Sequence, residues 1–448
     1  MKRAWMILSG RRTAAGVLAA GSLLSVALAC LGADGALDFM KYYAAIGAVG
    51  VFAAFCVLGA VRTCRRPALA ALHLGLALVL GGWVGNELAG EPDGYLRLRA
   101  GQEGRVAASE TAPGFNRELQ DFSIDRWPDT GTVRQYTSRA ILRRDGENSA
   151  EPVAISVNHP LVCAGWWVYQ SSFEELENPH TGRPLYFTIL SCVHDVGLPV
   201  VCVGGVLLVL GALGYAVSGL RRGRRAPPAP RPACAVAVLP RLAWGLYALA
   251  FAGAAAMLVH RGLTTGHAPM QNMFEFLMCA AALIPVLTAV SAKFDRQNTL
   301  LVDSALLVLV LVPVCFVMDG SAKRLMPALQ SPFFVPHVGA YVLGYILLIR
   351  AALGAGRRLV GLGFFLLTVG LVLGAAWGKV CWGHWWQFDP KEMWSVATWF
   401  TYAAYFHLRP RLSPRAERAF LVAGAVMIVL TLTWVNLSRL FPGMHSYA

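Results

Sequence analysis

The sequence predicts a polytopic α-helical membrane protein with about eleven transmembrane helices and a small β-rich external (periplasmic) domain. Three observations lead there. Of 448 residues, 56% are hydrophobic and only 14% charged, far below the ~25% charged residues of ordinary soluble domains. Eleven apolar runs approach or reach the roughly 20 residues that a spanning helix needs. One long stretch, 91–195, instead alternates apolar and polar residues between turn signals, which is the pattern of strands.

In chain order the runs fall at 14–33, 43–61, 68–89, 196–219, 239–259, 271–291, 299–318, 337–354, 359–376, 393–408 and 419–439. The formal charge of +14 raises the question of a nucleic-acid partner, and its distribution answers no. Arg and Lys collect at 2–12, 62–66, 221–241, 293–296, 350–358 and 409–418, which are alternate loops of the eleven-span order. The positive-inside rule puts those loops and the N-terminus in the cytoplasm, and the C-terminus outside. Segment 91–195 then lies outside. Its 10 Arg/Lys against 15 Asp/Glu give −5, so the rest of the chain carries +19. The basicity is topological.

Residues 1–33 look like a signal peptide, but the topology requires the run to stay as the first span. Residues 1–90 form an N-terminal part of three spans. Within 91–195, Tyr95-Leu-Arg-Leu-Arg-Ala, Val133-Arg-Gln-Tyr-Thr-Ser and Pro184-Leu-Tyr-Phe-Thr-Ile-Leu read as strands, divided by turns such as Asn158-His-Pro. Residues 196–220 make the fourth span. Residues 221–240 are a cytoplasmic basic, Pro-rich linker marking a boundary or an old fusion point, and 241–448 hold seven spans. Ten cysteines are scattered without a Cys-x-x-Cys pair. Cys163 and Cys192 both fall in the external segment, and their pairing stays open.

Between two of the last spans lies the segment 377–396, with Trp377, Trp382, Trp385, Trp386, Phe388 and Trp394 among glycines and the polar run Asp389-Pro-Lys-Glu392. An interfacial belt needs only one or two Trp per helix end. An aromatic platform for a flat ligand accounts for the rest. Asp389 and Glu392 also have the spacing to cap the helix that follows.

Four histidines fall at two matching depths. His73 and His407 belong near the cytoplasmic end of the membrane, while His337 and His445 belong near the external face, level with the aromatic segment. Ionisable groups inside spans mark functional sites by default. Paired imidazoles with flat apolar rings suit haem, whose iron takes nitrogen ligands from both faces. Arg409, beside His407, is placed to meet haem propionates, although the positive-inside rule also explains it. His159, His180, His194, His260, His267 and His384 have weaker claims.

The residues then become familiar. Trp382-Gly-His-Trp-Trp-Gln-Phe-Asp-Pro-Lys-Glu resembles the WWD signature of the haem-handling proteins of cytochrome c maturation. Gly266-His-Ala-Pro-Met-Gln-Asn-Met-Phe-Glu, Leu329-Gln-Ser-Pro-Phe-Phe-Val-Pro-His-Val, Thr401-Tyr-Ala-Ala-Tyr-Phe-His-Leu-Arg and His445-Ser-Tyr-Ala resemble CcsA in order. His73-Leu-Gly-Leu-Ala-Leu-Val-Leu, Glu118-Leu-Gln-Asp-Phe, Ser156-Val-Asn-His-Pro-Leu and Tyr169-Gln-Ser-Ser-Phe resemble the ResB-like CcsB proteins. The whole chain thus resembles the fused CcsBA cytochrome c synthases of bacterial system II.

That resemblance implies a holocytochrome c synthase in the bacterial inner membrane. Such an enzyme moves haem b, its transiently bound substrate, to an external site and attaches it to the Cys-x-x-Cys-His motif of apocytochrome c. It implies His337 and His445 as external iron ligands and His73 and His407 as the membrane pair. It also implies Trp377, Trp382, Trp385, Trp386 and Phe388 as the platform, with Asp389 in its turn, and thioredoxin-like reductants as further partners. Two departures stand out. Phe388 occupies a position where the family usually has Trp, and the external segment is short for a fused member. An exporter without ligation activity and a b-type electron-transfer protein remain as other classes.

Overall fold

The computed structural model describes residues 13–14, 16–18, 20–21, 36–89, 94–106, 115–144, 151–163, 165–177, 182, 184–224, 238–295 and 299–437. Most of the predicted first span, the core of the 221–240 linker, His180 and His445 lie outside the described residues. A long helix pair comes first, α1 (Ala36–Arg62) and α2 (Pro67–Ala89), followed by eight strands. Eight further α-helices follow among the described residues: α3 (Leu198–Arg224), α4 (Val238–Thr265), α5 (Met273–Val290), α6 (Leu300–Phe316), α7 (Phe334–Ala352), α8 (Val360–Trp382), α9 (Pro390–Leu408) and α10 (Pro414–Leu437). The chain is a polytopic helical membrane protein with a small β-rich domain. Among the described residues seven helices are long and apolar enough to cross a membrane, and α6 is a shorter apolar one. Helix α9 is less apolar because it carries Lys391 and Glu392 in its first turn and Trp, Tyr, Thr and His along its length.

α2 and α3 approach backbone to backbone. A Cβ on Gly75 would sit 2.3 Å from the Leu208 nitrogen, on Gly204 2.6 Å from the Val79 nitrogen, and on Gly211 2.4 Å from the Leu72 nitrogen. Only glycine permits such contact, and in a bilayer, where lipid is as apolar as leucine, close packing is what drives helices together. The seven-residue spacing of Gly197, Gly204 and Gly211 keeps them on one face.

Farther along, α5, α6 and α7 are tied by a buried polar knot. Arg350 donates Nε to Asp303 Oδ1 at 2.6 Å and Nη2 to Asp303 Oδ2 at 2.8 Å. Thr288 and Thr299 donate to the same carboxylate at 2.8 and 2.7 Å. Arg350 and Asp303 are both fully buried, so each charge survives there only because the other balances it.

The strands β1 (Gly94–Leu98), β2 (Glu103–Val106), β3 (Phe115–Arg126), β4 (Val133–Arg144), β5 (Glu151–Ser156), β6 (Leu161–Cys163), β7 (Trp166–Glu177) and β8 (Pro184–His194) form two four-stranded antiparallel sheets. Their orders are β1-β8-β7-β6 and β2-β3-β4-β5. Phe115, Leu119, Leu142, Ile155, Val168 and Leu190 fill the space between them. Cys163 on β6 and Cys192 on β8 share this core with β7 between them. Two strand spacings make ~9–10 Å, beyond the ~7 Å Cα separation a disulfide can bridge. The pairing that the sequence left open is therefore excluded by the strand order.

The sandwich sits on one end of the helical bundle, docked on the segment between α6 and α7. Asn158, whose φ of 66° lies in the left-handed region that Asn tolerates, donates Nδ2 to the carbonyls of Pro327 at 2.9 Å and Gln330 at 3.1 Å. Gln330 answers by donating to the Arg134 carbonyl at 2.8 Å. Trp127 donates to the Leu325 carbonyl at 3.3 Å, and Arg324 pairs with Asp129 at 2.7 Å.

Candidate functional site

Beneath the sandwich, helices α5, α7, α8, α9 and α10 enclose a cavity of about 440 Å³, lined among others by Met270, Phe274, Phe334, His337, Tyr341, Trp377, Trp386, Lys391, Glu392 and Ser395. That is within the ~300–1,000 Å³ of small-molecule and cofactor pockets. His337 stands one turn into α7. Its Nδ1–H donates to the Gly370 carbonyl on α8 at 2.8 Å, which leaves Nε2 as the nitrogen carrying the lone pair. A Cβ on Gly374 would lie 2.6 Å from its Cε1, so that glycine makes the seat for the ring. Trp377 and Tyr341 pack at 5.8 and 4.9 Å from the imidazole centroid.

The aromatic segment 377–396 is mostly helical. Residues 377–382 are the last turn of α8 and 390–396 the first turns of α9, leaving 383–389 as the turn. Gly383 ends α8 with φ 92° and closes its N–H on the Lys379 carbonyl, as helix C-termini commonly do with glycine. Asp389 starts α9 with a capping box: its Oδ1 accepts the Lys391 N–H at 2.9 Å, while Glu392 Oε2 accepts the N–H groups of Gln387 and Asp389 at 2.8 and 3.2 Å. The role of Asp389 here is to build the turn, and it is absent from the cavity lining.

The tryptophans divide. Trp377 and Trp386 line the cavity, whereas Trp382 packs behind Trp377 at 5.6 Å and Trp385 donates its indole N–H to Asp195 at 2.9 Å. Phe388 adopts φ 58° and meets Trp83 of α2 edge-on at 6.0 Å, away from the cavity lining. His384 is half-buried in the turn. Tyr136 of β4 reaches down against Trp377 and Cys381, and burial there pushes its phenol up to about 12.

At the opposite end of the bundle, His73 of α2 and His407 of α9 meet, ring centroids 5.8 Å apart and planes nearly perpendicular. Both donate Nδ1–H to a backbone carbonyl one turn earlier, Leu69 at 2.7 Å and Ala403 at 2.8 Å. Each therefore presents a lone pair on Nε2, as His337 does. A Cβ on Gly59 of α1 would sit 2.5 Å from His73 Cδ2, a second glycine seat. Arg409 falls near this end, but its Nε lies 3.3 Å from Glu417, and its side chain is half exposed. His445 lies outside the described residues. His267 has both ring nitrogens against carbonyls, Ala268 and Lys323 at 3.0 and 3.2 Å, and so ties two loops together.

Sequence reading missed the supports. Arg261 and Glu275, 6% and 1% exposed, pair at 2.5 Å and fix the loops that carry Met270 and Met318 into the cavity wall. Lys379, a lone cation near the end of an apolar helix, was the available signal for a buried partner, and that partner is Asp195.

The fold and the site define a class: a multi-pass membrane protein with one histidine pair at one end of its bundle and a histidine-bearing aromatic cavity under a β-sandwich at the other. Comparison with known proteins narrows it. A model of the ResB-like family matches residues 62–186, and one of the cytochrome C assembly protein family matches 355–445. The cytochrome c biogenesis protein CcsA of Chlamydomonas reinhardtii is 28% identical over 229 residues, covering 43% of this chain and 64% of that protein. CcsA of Prochlorococcus marinus (MED4) is 27% identical over 249 residues, 43% of this chain and 79% of its own length, and that of Synechococcus sp. RCC307 is 28% identical over 250 residues, 43% and 80%. The chain is thus similar to ResB-like proteins in its first part and to the cytochrome c biogenesis protein CcsA in its second. His73 and most of the sandwich fall in the first match and His407 and the aromatic turn in the second, while His337 lies between them.

Proposed function

We propose that the chain carries haem b from the cytoplasmic to the periplasmic side of the bacterial inner membrane and joins it covalently to apocytochrome c. In this reading the sandwich and the C-terminus face the periplasm and the N-terminus the cytoplasm. The observation that carries it is the placing of imidazoles at opposite ends of one bundle, His73 with His407 at one and His337 at the other, each held by an Nδ1–H bond to a backbone carbonyl that makes Nε2 the lone-pair nitrogen. Among the described residues no group of three or more His, Cys, Asp and Glu could hold a bare ion. Imidazole pairs suit a metal whose other positions are already filled, as the iron of haem is.

Haem enters at His73 and His407 and passes to the cavity, where His337 and His445 take the iron and Trp377 and Trp386 cover the macrocycle. The apocytochrome presents Cys-x-x-Cys-His, and its His displaces one protein ligand. Each thiol then adds across a vinyl group: the S–H bond breaks, a C–S bond forms at one vinyl carbon, and the hydrogen goes to the other. No electrons are gained or lost, so the thiols must arrive reduced, which assigns a thioredoxin-like reductant to the pathway. No strong acid or base is needed. Holding vinyl carbons and thiols in register is the work, and such positioning is worth ~7–11 kcal/mol.

The deciding experiment is co-expression with an apocytochrome c in cells lacking their own maturation genes. Covalent haem staining of the cytochrome supports the synthase. Haem bound to the chain but never transferred points to an exporter. His337→Ala and His445→Ala should keep some bound haem but lose cytochrome c, and unchanged yield would sink their roles.

A further inference from the structure

One carboxylate from the first half of the chain reaches the aromatic turn of the second. Asp195 follows β8 directly and precedes α3, so it is the joint between sandwich and bundle. It is 8% exposed. Its Oδ2 receives the Lys379 ammonium at 2.8 Å and the Trp385 indole N–H at 2.9 Å, while Oδ1 is buried without a hydrogen bond. Lys379, 4% exposed, also donates to the Gly383 carbonyl at 2.9 Å, at the very end of α8. The turn is pressed against the sandwich at the same place: a Cβ on Gly383 would lie 2.9 Å from Tyr169 of β7 and 3.3 Å from Val193 of β8.

A buried ammonium requires a counter-charge, and the Asp195–Lys379 pair satisfies that by itself. The indole bond is additional. An indole carries a single N–H donor, so placing it on a carboxylate already anchored by Lys379 fixes how the ring is turned. A half-buried ring in a turn would otherwise sample several rotamers.

We propose that Asp195 is a positioning residue: it holds Trp385, and through it the aromatic turn, in the orientation needed for haem attachment, and so couples the sandwich to the site. This rests on the haem-attachment reading above. Two double variants of the full-length chain separate positioning from simple charge balance. Lys379→Met with Asp195→Asn removes both charges but keeps an oxygen for the indole; Lys379→Met with Asp195→Leu removes the oxygen as well. Two readouts apply: hydroxyl-radical oxidation of Trp385 in the purified chain, with Trp399, held by Thr368 at 3.0 Å in the core, as the internal reference, and covalent haem on a co-expressed apocytochrome.

The Leu variant should raise Trp385 oxidation several-fold and lower attachment about tenfold at equal chain level, the scale of one buried hydrogen bond, while the Asn variant, which loses the Lys379 anchor but keeps the indole acceptor, falls between the Leu variant and the parent in both. Equal Trp385 oxidation in the two variants overturns the proposal. If the parent chain attaches no haem, the function reading falls, yet the oxidation contrast still decides the positioning. Should neither double variant accumulate, Trp385→Phe, which leaves the ion pair intact, decides: reduced attachment at the parent's chain level supports the proposal, and full attachment overturns it.

Discussion

Replacing Gly374 by alanine tests the proposed role of the His337 cavity without changing His337 itself. The added Cβ would lie 2.6 Å from Cε1 and 2.9 Å from Nδ1 of His337, where ordinary contact begins at 3.4 Å. The ring must therefore retreat by about 0.8 Å, which stretches its 2.8 Å bond to the Gly370 carbonyl beyond the ~3.2 Å of a normal N–H···O bond. A buried hydrogen bond left unmade costs ~1–3 kcal/mol. Against this, Gly→Ala within a helix returns ~0.8–1 kcal/mol, so the chain's abundance should change little. The ligand geometry has no such compensation, and ~1.4 kcal/mol is a factor of ten. Cytochrome c yield, read as covalent haem stain per unit of chain in the membrane, should fall about tenfold or more. Gly81→Ala is the control, because nothing lies within 4 Å of the Cβ it would add. If Gly374→Ala matches that control, the seat of His337 is irrelevant to attachment.

Gly59→Ala should disturb the other end, since its Cβ would meet His73 at 2.5 Å; haem co-purifying with the chain should drop, and full loading would remove His73 from the entry site. Asp303→Ala leaves Arg350 uncompensated in the bundle and should cost ~3–5 kcal/mol, seen as loss of folded chain on size-exclusion chromatography. The paired change Arg350→Met with Asp303→Leu should recover most of it, and failure to recover would mean that the knot does more than balance charge. At the docking surface, the hydrogen bond from Arg324 holds the Asp129 carboxyl below its ordinary 3.8. Its stabilisation is complete above that value and fades only as pH falls through the lowered one. Hydrogen exchange in 325–330 should therefore be steady across the neutral range once corrected for intrinsic exchange rates, and a marked rise there would show that another group governs docking.

Some of this architecture was legible because it is local. Apolar runs of spanning length, alternation in 91–195 and Gly383 just past an apolar helix each follow from the few residues concerned. So does the Asp389–Glu392 spacing, three residues apart at a helix start, which is the spacing of a capping box. The four histidines stood out because an imidazole in an apolar run is chemically conspicuous.

What the chain could not disclose is phase and encounter. His73 and His407 come from helices more than three hundred residues apart, and their meeting depends on how α2 and α9 are rotated, which α2 inherits from its glycine contact with α3. Five tryptophans in one segment look equivalent in sequence. Helix direction sends Trp377 toward His337, while the turn sends Trp385 to Asp195. Composition and residue patterning established a membrane protein with a β-rich domain, conspicuous histidines and an aromatic segment; the two-sheet sandwich emerged only in the fold. Which rings face the cavity, and which one a carboxylate holds outside it, was decided by tertiary packing, because side-chain direction depends on how distant helices are rotated against one another.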